Sequence, residues 1–141
     1  PNATIYCPDA AVPFTRITEP RNRSAFMAPS GKTSLSIEIP CWFTDSAWKA
    51  DDATLMAQCL DGVSAMGLID RAACLGGVVH RLPHAYPVLE TGSTGQIATV
   101  QRHLASFSNL HMAGRTGRFA YVHVHDLMRA GRELAARLAS H

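Results

Sequence analysis

Gly114-Arg115-Thr116-Gly117-Arg118-Phe119 places two glycines and two guanidiniums within six residues. Glycine lets the backbone approach a ligand closely, and a guanidinium matches phosphate oxygens with a planar fork of donors. A helix expected just downstream would add free N–H groups and the positive end of its dipole. The same residues could equally form a tight strand-to-helix turn with arginines in solvent, and local physics leaves both readings open. His123-Val124-His125-Asp126 is a second pattern. On a strand the two imidazoles share a face and could grip one metal, whereas at a helix start they diverge by about 200°. The helical stripe begins close by at Leu127, so the expectation is divergence, two partly exposed histidines and no metal.

Ser30-Gly31-Lys32-Thr33 has the ending of a phosphate-binding loop, but that loop needs a glycine where Phe26 stands and a helix afterwards. A strand pattern follows instead, which excludes the motif. Cys7, Cys41, Cys59 and Cys74 form no C-x-x-C pair, so neither a zinc ribbon nor a dithiol redox site is expected. They read as free, buried thiols. Arg129, Arg132 and Arg137 give the last helix a basic, solvated face. Aromatic residues for stacking bases are not interleaved with them, and no nucleic-acid partner is expected.

These residues need elements to hold them. Residues 3–7 and 14–18 are short strand candidates, and 33–40 is the clearest, with Leu35, Ile37 and Ile39 alternating with Ser34, Ser36 and Glu38. Residues 22–31 read as the hairpin connection, turned by Pro29-Ser30-Gly31. Leu55, Met56, Cys59, Leu60, Val63 and Met66 fall on one helical stripe. Residues 73–80 read as a strand ending before Pro83, and 82–92 as an extended loop. Ser93 and Gln96 suggest a capping box for a second helix burying Ile97, Val100 and Leu104. Residues 109–113 read as a short buried strand. A last helix is expected over 124–139, with Leu127, Gly131, Leu134 and Leu138 inward. Strands first and helices mostly later give an α+β class, an antiparallel or mixed sheet with about three helices.

Composition sets the outer bounds. The chain has 141 residues, 47% apolar and 17% charged, which is globular and not disordered. Its longest apolar stretch falls far short of the roughly 20 residues a membrane helix needs, so no membrane partner is expected. A formal net charge of +2 does not favour a polyanion partner. No basic–apolar–small segment opens the chain, and a cytoplasmic location is expected.

The stretch Asn109-Leu-His-Met-Ala-Gly114-Arg115-Thr-Gly117-Arg118-Phe119-Ala-Tyr121, followed by Asp126 and Gly131, resembles the carboxy-terminal signature of flavin-dependent amine-oxidase-like proteins. That group includes protoporphyrinogen-oxidase-like enzymes and UDP-galactopyranose-mutase-like relatives. Ala85-Tyr86-Pro87-Val88 is similar to the segment before that signature. Val12-Pro-Phe-Thr-Arg16-Ile17, Pro20, Asn22, Ser34-Leu35 and Glu38 look like the substrate-side sheet of the same proteins.

The resemblance implies an FAD-linked reductase-type two-domain fold, of which this chain is a fragment. Residues 1–90 would be a substrate-domain-like sheet and helix, and 91–141 an FAD-contacting segment, packed as one compact unit. Gly114, Arg115 and Gly117 would approach the pyrophosphate and ribityl region of FAD. Phe119, Tyr121 and Asp126 would lie near the flavin or the substrate, and Arg16 and Tyr86 on the substrate side. His123 and His125 stand where relatives commonly carry small or amide residues.

The G-x-G-x-x-G fingerprint that binds the dinucleotide in such enzymes is absent from this sequence. With Pro1 at its start, the expectation is the carboxy-terminal portion of a flavin-dependent oxidoreductase, partnered by an N-terminal dinucleotide-binding domain or separate subunit. Alone it would be inactive and bind FAD weakly or not at all. The alternatives are a mutase-like flavoenzyme fragment, in which Arg16 or Tyr121 meets substrate phosphate, and a cofactor-free module that dimerises through an exposed strand edge.

Overall fold

The computed structural model describes residues 2–140. They form an α+β arrangement of one three-stranded antiparallel sheet and five helices, and the chain divides into two compact units, Pro1–Arg81 and Leu82–His141. The break falls nine residues before the 90/91 boundary read from the sequence, and it replaces the single compact unit expected there.

In the first unit the strands are β1 (Thr4–Tyr6), β2 (Arg16–Thr18) and β3 (Ser36–Glu38) in sequential order. The three strands expected over residues 3–40 are present, each shorter than its sequence pattern. The register aligns Ile5, Ile17 and Ile37 across one face and Tyr6, Arg16 and Glu38 in the next row. Period-2 alternation sends these rows to opposite faces. Ile17 is buried, and with Cys7, Phe14 and Val63 it makes the core, flanked by Val12, Leu35, Ile39, Cys59, Leu60 and Ile69. On the other row, Arg16 donates to both carboxylate oxygens of Glu38 at 2.5 and 2.6 Å and lies 5.9 Å from the Tyr6 ring centre. The β2–β3 connection carries two 3-10 turns, Pro20–Asn22 and Ala25–Met27, and Lys32 N–H donates to Pro29 O.

Two helices follow, α1 (Ser46–Lys49) and α2 (Asp52–Ala65). The apolar stripe on α2 is the one expected: Leu55 and Val63 are buried, Met56, Cys59 and Leu60 half-buried, and Met66 lies exposed just past the end. Gly62 lets the helix come close to the core, because a Cβ there would sit 2.7 Å from Cε1 of Phe14. Asp51 caps α2, its Oδ1 accepting from Thr54 N–H at 2.8 Å and its Oδ2 from the Thr54 hydroxyl at 2.9 Å. These two bonds favour the carboxylate and hold its pKa below the ordinary value.

Replacing Asp51 by alanine removes the cap and is expected to lower the urea unfolding midpoint. A depressed folded-state pKa means the contribution is present above the unfolded-state pKa of an aspartate. It is lost as pH falls through the folded value, so wild type and Asp51→Ala converge in stability at acid pH.

Residues 74–80 form no strand, contrary to the apolar run read there. The segment has no partner in the sheet, and Leu75 and Val78 are about four-fifths exposed. Gly77 packs against Met56, and Arg81 fixes the segment's end by donating to Trp48 O at 3.3 Å and Ala50 O at 2.6 Å and by pairing with Asp52 at 2.6 Å. Cys74 is exposed, Cys7 is buried, and Cys41 and Cys59 are half-buried, so only one of the four thiols is fully buried as expected. Burial raises the Cys59 pKa.

The second unit is built from α3 (Ser93–Leu104), the single turn α4 (Gly114–Gly117) and α5 (Val124–Ala139). Its residues include none that is fully buried among those described. Ile97 and Leu104 of α3 and Leu127 and Leu134 of α5 are half-buried, while Val100, Gly131 and Leu138 are exposed, so each inward face is narrower than its periodicity suggests. The capping box does not form. Gly92, at φ 91°, is the N-cap, and the Ser93 hydroxyl accepts from Glu90 N–H at 2.8 Å. Glycine takes this left-handed position without a Cβ clash and moves the helix start one residue earlier. Residues 109–113 are exposed coil and not a buried strand, because no neighbouring strand offers them a ladder. No helix among the described residues is long and apolar enough to cross a membrane.

Candidate functional site

The Gly114–Gly117 turn begins with Gly114 at φ 77° and ends with Phe119 at φ 47°. Phe119 N–H donates to Thr116 O at 3.0 Å and Ala120 N–H to Arg115 O at 3.1 Å. That bond pair is a Schellman closure, which normally places glycine at the left-handed position. Phenylalanine there costs about 1 kcal/mol or more, because its Cβ crowds the following carbonyl. The chain thus holds a strained residue two positions before Tyr121. Gly114 is the opposite case. A Cβ built on it would meet nothing within 4 Å, so the backbone faces open space.

Arg115 is the centre of the site. Its guanidinium carbon lies 4.2 Å from the ring centre of Tyr121 and 5.2 Å from that of Tyr86. The two rings are stacked, 5.8 Å apart with an 18° angle between planes. Guanidinium–aromatic contact of this kind stabilises the cation while leaving its in-plane N–H donors for another acceptor. Arg115 Nε is buried and has no hydrogen-bond partner among the described residues. A buried N–H without an acceptor is costly, and an anionic oxygen would relieve it. The cluster therefore offers a permanent positive charge set against two aromatic rings, a group suited to a phosphate or carboxylate.

Sequence reading assigned Arg115 and Tyr121 to a cofactor and Tyr86 to a substrate, and the structure gathers all three. Gly114, Gly117 and Phe119 form the turn that carries Arg115. Gln101 of α3 ties that turn down by donating to Arg118 O at 2.8 Å. This tie had no signal in the sequence. Asp126 lies in the first turn of α5, ion-paired with Arg129 and 3.4 Å from His125 Nε2. A carboxylate there is favoured by the helix dipole. Arg16 belongs to the first unit, where Glu38 already matches its charge.

The histidine pair corrects the expected divergence. His123 is the N-cap, with extended backbone, and only His125 is helical, so the rings lie parallel with centres 5.6 Å apart. Among the described residues no group of three or more His, Cys, Asp or Glu side chains is arranged to hold a metal.

Comparison of the chain with protein-family models, with curated proteins and with solved structures finds no match to any of them.

Proposed function

We propose that this chain is the flavin- and substrate-facing carboxy-terminal portion of an FAD-dependent oxidoreductase of the amine-oxidase-like kind. The observation that carries the reading is Arg115 set against the stacked Tyr121 and Tyr86 rings, with an unpartnered Nε among the described residues, beside the open backbone of Gly114. This donor set fits the pyrophosphate of a dinucleotide. Gly114, Arg115 and Gly117 would hold the pyrophosphate and ribityl region, and Phe119, Tyr121 and Asp126 would line the flavin or substrate side. When bound, the flavin supplies the acceptor for hydride removed from a C–N or C–C unit. The residues of this chain orient the ligand and match its negative charge.

A dinucleotide-binding unit must complete the site. Val100, Phe107, Leu110 and Met112 are exposed in the second unit, apolar side chains that such a unit could cover. Four cysteines without disulfides go with a reducing compartment such as the cytoplasm. The test is the visible absorption spectrum of the purified natural gene product that contains this sequence. Bound flavin and oxidation of an amine or related substrate are expected, and a colourless protein that takes up no FAD contradicts the reading. The 141-residue chain alone is expected to bind FAD weakly or not at all.

A mutase-like sugar isomerase is the second reading. Arg115 against the exposed Tyr121 suits a nucleotide-sugar phosphate, which favours it. Interconversion of nucleotide sugars with no net reduced product selects it over the oxidoreductase.

A further inference from the structure

The peptide plane between Arg118 and Phe119 is held at both ends. Phe119 N–H donates to Thr116 O at 3.0 Å, and the Arg118 carbonyl oxygen in the same plane accepts from the Gln101 side-chain amide at 2.8 Å. A carbonyl oxygen only accepts, so it is the amide nitrogen of Gln101 that faces it. Gln101 stands in the last turn of α3, where its own carbonyl accepts from Ala105 N–H at 2.9 Å and the helix fixes its backbone. The clamp thus reaches the turn from an element 17 residues earlier in the chain.

That plane decides the course of the turn. The peptide unit is rigid, so rotating it changes ψ of Arg118 and φ of Phe119 together. Phe119 at φ 47° lies in the left-handed region, which a residue with a bulky side chain avoids. Released, the plane would swing back and return Phe119 to ordinary backbone conformation. The chain continues directly into Ala120, whose N–H closes onto Arg115 O at 3.1 Å, and Tyr121, whose ring centre lies 4.2 Å from the Arg115 guanidinium carbon. The left-handed step therefore aims Tyr121 back at Arg115. A strained conformation persists only where the surroundings over-determine it, and Gln101 supplies such a contact from outside the turn.

We infer that Gln101 is a positioning residue of the Arg115 site: its bond to Arg118 O keeps Phe119 left-handed and so keeps Tyr121 over Arg115. It acts through the turn and not on a ligand, as supporting residues do where a site must hold its geometry before anything binds. The inference rests on the Arg115 cluster being the working part of the site, as proposed above, but its test reads the cluster itself and needs no flavin.

The test is the Arg115 Nε–H signal of the full chain in a proton–nitrogen correlation NMR spectrum, assigned by its loss in Arg115→Lys. A group over an aromatic face is shifted upfield by the ring current, and Tyr121→Leu gives the part of the shift that the Tyr121 ring supplies. Gln101→Ala is expected to lose that part, with α3 intact because alanine is the better helix former. Phe119→Gly is expected to keep it, since glycine takes the left-handed region freely. In the double variant the shift returns, because a turn without strain needs no clamp. Were Gln101 merely structural, glycine at 119 would not repair its loss. Gln101→Ala with the shift retained overturns the inference. So does a double variant that stays without it, Phe119→Gly alone losing it, or a wild-type signal that Tyr121→Leu does not move. On the flavin reading, FAD affinity of the natural gene product follows the same order, falling roughly tenfold in Gln101→Ala and recovering in the double variant. Shifts that obey the order while no flavin binds support Gln101 in this role and count against the flavin reading.

Discussion

Phe14→Ala is expected to destabilise the first unit by about 3–5 kcal/mol, the usual cost of truncating a fully buried phenylalanine. The expected size follows from how thin the core is. Phe14 is 1% exposed, and among the described residues only Cys7, Ile17, Leu55 and Val63 are buried with it. A unit of this length has roughly 4–12 kcal/mol of total stability, so the loss takes a large part of it. Gly62→Ala tests the same contact from the other side. Its new Cβ would lie 2.7 Å from Phe14 Cε1 and 3.0 Å from Cζ, on a ring with no room to withdraw. Overpacking there costs about 1–3 kcal/mol, against about 1 kcal/mol gained in helix propensity. Once Phe14 is alanine the clash is gone, and Gly62→Ala becomes neutral or stabilising. Urea unfolding of the four proteins gives the cycle, and simple additivity would show that the two residues do not meet.

The second large effect is at Arg115. On the proposed flavin reading, Arg115→Ala in the natural gene product that contains this sequence is expected to lower FAD affinity roughly ten- to a hundredfold, the loss of a charge-assisted hydrogen bond. Arg115→Lys restores only part of it, because lysine keeps the charge but lacks the planar guanidinium that meets the Tyr121 and Tyr86 rings and donates in a fork. Tyr121→Phe keeps the ring against the guanidinium and removes one donor, so its effect is smaller on cofactor binding. Fluorescence titration with FAD reads all three, and an unchanged far-UV spectrum separates loss of the site from loss of the fold.

How legible these features were in the sequence depended on whether their cause was local. The β3 strand announces itself because Leu35, Ile37 and Ile39 alternate with polar residues, and α2 because Leu55, Cys59 and Val63 repeat at helical spacing. Residues 73–80 and 109–113 are apolar enough for strands, but a strand exists only where a neighbour supplies its ladder, and that is a property of the whole fold. Gly92 shifted the start of α3 by taking a left-handed conformation next to a serine that looked like the cap. The site divides in the same way. The Gly114–Phe119 turn was visible as composition, whereas the stacking of Tyr86 on Tyr121 around Arg115 joins residues up to 35 positions apart. The parallel histidines depended on where α5 begins, since a helix that started one residue sooner would have turned His123 away.

Amide hydrogen exchange across residues 113–119 of the natural gene product, with and without bound flavin, tests the central claim most directly. Slowed exchange on flavin binding, centred on Gly114 to Gly117 and extending to Phe119, is the expected result. Flavin bound with no change in exchange over that turn would contradict it.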